Sequence, residues 1–240
     1  MKLWGSSVRE HGWKIRVSSF PSVFHLNPFY PVIHIFPRIR HLFTRLRYPG
    51  SRRYWERRYA QGGDSGAGSS GVLAAYKSSV LNDFAKTQHI RSVVELGCGD
   101  GQQLQLAEYP AYTGLDIAAS AVARCRDLFA GDSNKNFAHY DPFHFEPADF
   151  QADMAISLEV IFHLTEDNLY RFYLQHLFAL SRHWVIVFSS DEADPTGGVF
   201  PHFRQRHFSA DVPEGWVLRE RMDNPHRDSS VSDFFVFERR

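Results

Sequence analysis

Cysteine is scarce in this 240-residue sequence, with Cys98 and Cys125 the only two. That excludes a disulfide framework and the four-cysteine pattern of a structural zinc site. Long apolar runs are missing too. No stretch reaches the roughly 18 uninterrupted apolar residues of a spanning helix, and Arg9, Glu10, Lys14, Arg16 and Pro21 break the first 30 residues. Neither a membrane span nor a secretory signal is expected, and reduced thiols make the cytoplasm the default location. No spacing of His, Cys, Asp or Glu implies a metal site. What remains is a globular composition, 43% hydrophobic and 22% charged, of a length that suits one large domain with an appendage.

Net charge is zero because two unlike parts cancel. Residues 1–60 hold 12 Lys/Arg against two acids, and residues 61–240 hold 15 against 25. The first part carries five of the twelve prolines and nine aromatics between Trp4 and Tyr48. Pro37 is placed to open a helix with Ile39, Leu42, Phe43 and Leu46 on one stripe, flanked by Arg38, Arg40, Arg45 and Arg47. Such a basic amphipathic helix either lies in an anionic membrane interface or packs its stripe on the acidic remainder.

The segment GGDSGAGSSG, from Gly62 to Gly71, has no side chain able to build a core. We divide the chain into a basic arm, residues 1–53, and a main domain, residues 54–240. A helical pattern with Leu73, Tyr76, Val80, Leu81 and Phe84 on one face opens the domain's regular part. Lys77 falls within that apolar face, and is expected to snorkel to water or to point its charge into a site. Apolar runs then alternate with helical patterns: RSVVELG, QQLQLAEY, YTGLD, SAVARCRDLF, NFAHYD, DMAISLEV, TEDNLYRFYLQHLFAL and HWVIVFSS. Alternation of this kind predicts an α/β doubly wound fold, a mostly parallel seven-stranded sheet with helices on both faces. WVLRERM and SDFFVFE follow without a long helix between them and predict an antiparallel pair at the sheet edge. In the helix after Thr165, that residue is expected to cap, with Leu169, Phe172, Tyr173, Leu177 and Leu180 buried and His176 a satisfied core residue.

The most informative segment is Ser92 to Gln102, a buried strand running into glycines at 97, 99 and 101. Glycines there let the backbone turn tightly and let a ligand approach where a Cβ would collide. A nicotinamide fingerprint would need its third glycine at position 102, which is Gln102. The spacing, E-x-G-x-G-x-G from Glu95, instead resembles the first motif of class I S-adenosylmethionine-dependent methyltransferases. The resemblance extends to Asp116 at the end of YTGLD, to Asp141 after NFAHYD, and to the strand from Asp153 through Ser157 and Glu159 to His163. It covers residues 92–188.

The resemblance implies a Rossmann-like methyltransferase fold and S-adenosyl-L-methionine as cofactor. Gly97 and Gly99 would pass beneath its methionine part, with Gly101 completing the turn. Glu95 would orient that turn or the ammonium group, Asp116 would hold the ribose, Ile117 would cover the adenine and Asp141 would bind the adenine edge. Asp141 also precedes Pro142, where a turn residue is common, and Asp100 has the alternative of capping the next element. Tyr54 to Tyr59 resembles a lid segment, in which Arg58 would pair the methionine carboxylate and Tyr59 would pack nearby.

Methyl transfer to a hydroxyl needs alignment, a water-poor pocket and a proton acceptor. His163 is the expected general base, with Glu159 its partner or rival; a structural His163 is the other reading. The cluster His202 to His207 is expected either to bind a phosphate, carboxylate or sugar, or to be a solvated basic loop. The expected acceptor is a small molecule or glycan-like, methylated on oxygen. Nucleic acid is not favoured, because neither a DPPY-like nor an NPPF-like tetrapeptide follows the fourth strand, though the basic arm keeps RNA open. The alternative from another class is a non-catalytic cofactor-binding regulator or scaffold.

Overall fold

The computed structural model describes residues 48–193 and 201–240. The amphipathic helix expected over 37–46 lies outside them. Helix α1 (Ser51–Ala60) comes first, then α2 (Gly71–Thr87). The sheet is built from β1 (Val93–Leu96), β2 (Tyr112–Asp116), β3 (Lys135–His139), β4 (Ala152–Leu158), β5 (Ser181–Ser189), β6 (Trp216–Met222) and β7 (Asp233–Arg239). Helix α3 (Ala119–Leu128) joins β2 to β3, and α4 (Asp167–Ala179) precedes β5.

Strand order is β3-β2-β1-β4-β5-β7-β6. The first five strands are parallel, and β7 enters antiparallel between β5 and β6. Both faces are covered, so the central strands β1 and β4 are buried almost continuously rather than alternately. In β5, Val185 and Val187 pack toward α4, and Ile186 and Phe188 toward α2 and α3. The period-two geometry of a strand thus feeds two cores from one run. The order reverses between β1 and β4. In such sheets ligands bind at that switch point, beyond the carboxyl ends of the strands.

Three local expectations are corrected. QQLQLAEY forms only a short 3-10 turn, Gln103–Leu106, with Leu106 exposed, because Pro110 holds the preceding residue extended and leaves no length for a helix. Helix α4 begins one residue later than expected, with Glu166 at the N-cap position and no side-chain cap. The Thr165 hydroxyl turns instead to Glu166 Oε2, 3.2 Å away. The buried stripe of α4 is the doubled row Leu169/Tyr170, Tyr173/Leu174, Leu177/Phe178. Phe172 sits beside that row, exposed and edge-on to Phe143 at 5.6 Å. His176 Nδ1 shares a hydrogen bond of 2.9 Å with the Tyr140 hydroxyl, as a satisfied residue should.

Candidate active site

One cavity of about 240 Å³ opens at the switch point. The turn after β1 forms its floor. Gly99 has φ +58°, and a Cβ there would lie 2.3 Å from Ser65 Oγ and 3.0 Å from the Tyr59 hydroxyl. Only glycine permits that conformation beside those neighbours. The Gly99 N–H donates to Asp116 Oδ2 at 2.9 Å, and Ala118 N–H to Oδ1 at 2.8 Å. Asp116 thereby ties the ends of β1 and β2 together. Burial nonetheless pushes its carboxyl up to about 6, the two N–H donors working against the rise.

Glu95, at the other side of the turn, is buried and accepts the Tyr112 hydroxyl at 2.6 Å. Burial pushes it up to about 7, with the Tyr112 hydrogen bond and the Lys77 charge opposing. Lys77 does not snorkel. Its ammonium is buried in the cavity wall, 3.1 Å from Glu159 Oε2 and 5.5 Å from the Phe188 ring centroid. Glu159 itself adopts φ +59° just beyond β4, a left-handed conformation that is strained for a residue with a side chain. Its backbone N–H bonds Phe188 O at 2.7 Å, and Ser230 Oγ donates to Oε1 at 2.7 Å. The Gly68 backbone lies so close that a Cβ there would fall 1.9 Å from Glu159 Oε2.

Helix α1 closes the cavity. Ser51 anchors it, donating from N to Glu166 Oε1 at 2.8 Å and from Oγ to His163 O at 2.7 Å. Trp55 and Tyr59, one turn apart, line the cavity. The following loop is latched by Asp100, which accepts from Ser65 N at 3.1 Å and Ser65 Oγ at 2.7 Å. His163, on a 3-10 turn after β4, meets the Trp55 ring edge at 4.9 Å. Its Nδ1 lies 3.0 Å from His202 O. A carbonyl only accepts, so Nδ1 carries the hydrogen and Nε2 keeps its lone pair. Burial pushes the imidazole down to about 4.

The structure therefore brings Glu95, Gly97, Gly99, Asp116, Ile117, Tyr59, Glu159 and His163 to one cavity. Gly101 is not among its lining residues; it faces inward, where a Cβ would meet Phe129 at 2.9 Å and Cys125 Sγ at 3.1 Å. Arg58 is also absent, because its guanidinium closes its own loop on Asp64 O at 2.6 Å and Asp64 Oδ1 at 2.9 Å. Asp141 caps a turn, accepting from Phe143 N at 3.2 Å and contacting His144 at 3.3 Å. Glu159 is not paired with His163; its oxygens go to Lys77 and Ser230. Nor is the His202–His207 cluster free to bind an anion. Arg204 and Arg206 both bond Asp167 Oδ1, at 2.9 and 2.7 Å, and Arg206 stacks over Tyr170 at 4.3 Å. Both cysteines are buried free thiols; the Cys125 thiol beside it, and then burial, push Cys98 upward.

Among the lining residues not foreseen as such are Ser51, Gln103, Tyr140, Phe162 and Tyr173. Gln103 Oε1 is buried without a hydrogen-bond partner. That orphaned acceptor, the glycine floor, and three lining carboxylates (Glu95, Asp116, Glu159) against the single lysine Lys77 all suit a ligand bearing positive groups and N–H donors. A sulfonium cofactor with an ammonium group fits.

Residues 93–182 match the family model described as a methyltransferase domain. The match is to a methyltransferase domain over 90 of the 240 residues. The N-methyltransferase NodS from Bradyrhizobium japonicum WM9, in complex with S-adenosyl-L-homocysteine, has TM-score 0.63 at 17% identity, over 79% of this chain and 98% of that one. Magnesium protoporphyrin IX methyltransferase from Synechocystis PCC 6803, with the same ligand, has TM-score 0.57 at 19% identity, over 79% and 98%. The methyltransferase domain of bacterial CtHen1-C has TM-score 0.55 at 19% identity, over 68% and 97%. At these identities the likeness establishes the methyltransferase fold. No curated protein sequence matches the chain. No helix among the described residues is long and apolar enough to cross a membrane.

Proposed function

We propose that this methyltransferase moves a methyl group from S-adenosyl-L-methionine to a hydroxyl of a small-molecule or glycan-like acceptor. The observation that carries the reading is the continuity of one cavity from the glycine turn and Asp116 to Glu159 and His163. The cofactor supplies an electrophilic methyl on a sulfonium. Asp116 and Ile117 hold its adenosine end, the former accepting ribose hydroxyls, the latter packing on the ring. Glu95, Gly97 and Gly99 hold the amino-acid end. Arg58 and Asp141 are given no part in this.

His163 takes the acceptor's proton at Nε2. Burial at about 4 keeps it neutral, hence able to accept a proton, at any pH above roughly 5. Glu159, oriented by Lys77 and Ser230, accepts a hydrogen bond from the acceptor. Trp55, Tyr59 and Phe162 exclude water from the transfer path. Because Ser51 and Trp55 line the cavity, we assign the catalytic domain to the chain from α1 onward. We assign the basic residues before it to location, including contact with an anionic membrane surface, rather than to chemistry.

The test is transfer of labelled methyl to a panel of hydroxylated small molecules and oligosaccharides. His163→Ala should lower the rate about a hundredfold or more, the scale of a lost general base, with S-adenosylhomocysteine affinity nearly intact. A variant that keeps its rate and loses only thermal stability would make His163 structural. Methylation of amines alone would contradict the hydroxyl reading.

A further inference from the structure

The 3-10 turn that carries His163 ends at that residue, and α4 starts at Asp167. The carbonyls of Leu164 and Thr165 fall between the two elements and need donors from elsewhere. Two arginines supply them. Arg206 Nη2 donates to Leu164 O at 3.2 Å and to Thr165 O at 3.3 Å, and Arg204 Nη1 donates to Thr165 O at 3.1 Å. Both guanidinium groups are also bonded to Asp167 Oδ1. Arg206 is the better sheltered, its side chain 10% exposed against 40% for Arg204. A guanidinium presents five donors in a fixed fork, so one side chain can hold two successive carbonyls and a carboxylate at once.

The same short segment reaches the imidazole. Arg204 N–H donates to Phe162 O at 2.7 Å, and two residues earlier the His202 carbonyl accepts from His163 Nδ1 at 3.0 Å. Backbone of residues 202–204 thus fixes the ring and the residue before it, while the two arginine side chains fix the two residues after it. From the opposite side Ser51 Oγ donates to His163 O at 2.7 Å. Which nitrogen of a neutral imidazole carries the hydrogen is set by the partner of the other, and only the Nδ1–H form leaves Nε2 able to accept a proton. The distance from the His163 turn to the His202 carbonyl therefore decides whether the ring is in the form that a base requires.

We propose that Arg204 and Arg206 are positioning residues, which clamp the carbonyls of Leu164 and Thr165, hold the His163 turn against the His202 carbonyl and so maintain the Nδ1–H tautomer. The inference rests on the reading of His163 as general base. It gives the basic cluster a use that requires no bound anion. Neither arginine is among the lining residues of the cavity, so the effect passes through His163.

The experiment is a long-range proton–nitrogen NMR spectrum of the full chain labelled with nitrogen-15 histidine, at pH 7, with His163 assigned by the loss of its signals in His163→Gln. Burial pushes the imidazole down to about 4, so the spectrum reports the tautomer of a neutral ring. The wild type should show the Nδ1–H pattern. In Arg206→Met the His163 signals should shift toward the Nε2–H pattern, while calorimetry finds the affinity for S-adenosylhomocysteine unchanged. Arg204→Met leaves the Arg206 bonds in place; it should give a smaller shift in the same direction, and it carries the test if Arg206→Met does not fold. An Nε2–H pattern in the wild type overturns the proposal, and so does a folded Arg206→Met whose His163 signals stay at the wild-type pattern. A shift accompanied by lost S-adenosylhomocysteine affinity means that the whole cavity has moved, and it overturns the proposal too. The base reading fails separately, if His163→Ala keeps its methylation rate although the tautomer responds as expected.

Discussion

Replacing Glu95 by glutamine should remove a pH dependence of stability that burial builds into the ligand-free domain. The carboxyl is 4% exposed and is pushed from 4.5 up to about 7, by burial first, with the Tyr112 hydrogen bond and Lys77 opposing. Because the folded value lies above the unfolded one, the folded chain keeps a proton here that the unfolded chain has released. The stabilisation from this group is therefore complete below roughly pH 4.5 and is lost as pH rises through about 7. At about 1.36 kcal/mol per pKa unit the whole loss is ~3 kcal/mol. Glutamine stays neutral and can still accept the Tyr112 hydroxyl. Urea unfolding at pH 5 and pH 8 should show the variant gaining on the wild type by about 2 kcal/mol between the two conditions. Asp116, also raised, contributes the same slope to both proteins and cancels in the difference. A difference that does not change with pH would refute the reasoning, since Glu95 would then be ionised in the folded state at both values.

Asp116→Ala should weaken S-adenosylhomocysteine binding by roughly 1.5–3 kcal/mol for each hydrogen bond lost to a charged acceptor, read as the dissociation constant; an unchanged constant would place the ribose elsewhere. Lys77→Met strips the cation from Glu159 and should destabilise the fold by about 3–5 kcal/mol, with much of that recovered when Glu159→Gln is added; if the double variant unfolds no later than the single one, the pair is not coupled. Deleting residues 1–47 should leave S-adenosylhomocysteine binding intact in calorimetry, and a loss of binding would assign those residues to the site.

The sheet was readable because its central strands are buried on both faces, which leaves apolar runs such as Trp184 to Phe188. The glycine turn after β1 was readable because three glycines and two acids sit at local spacings that backbone geometry imposes. What local spacing does not encode is which side chain wins a polar partner across the fold. Arg58 was available to a carboxylate in sequence, but Asp64 lies six residues away and reaches it first. Glu159 meets Lys77 and Ser230 across separations of 82 and 71 residues, which no periodicity announces. Asp141 shows the converse: its Asp-Pro context pointed to a turn, and the turn is where its carboxylate is spent. Gln103 carried one faint signal, a polar residue on the inward side of QQLQL.

The central claim, that this cavity is built for an adenosyl ligand with a methionine end, is tested most directly by calorimetric titration of the purified chain with S-adenosylhomocysteine and, in parallel, with NADH. The glycine spacing, Asp116 and Glu95 predict saturable one-to-one binding of S-adenosylhomocysteine and no comparable heat with NADH. NADH binding of equal or greater strength would contradict the account.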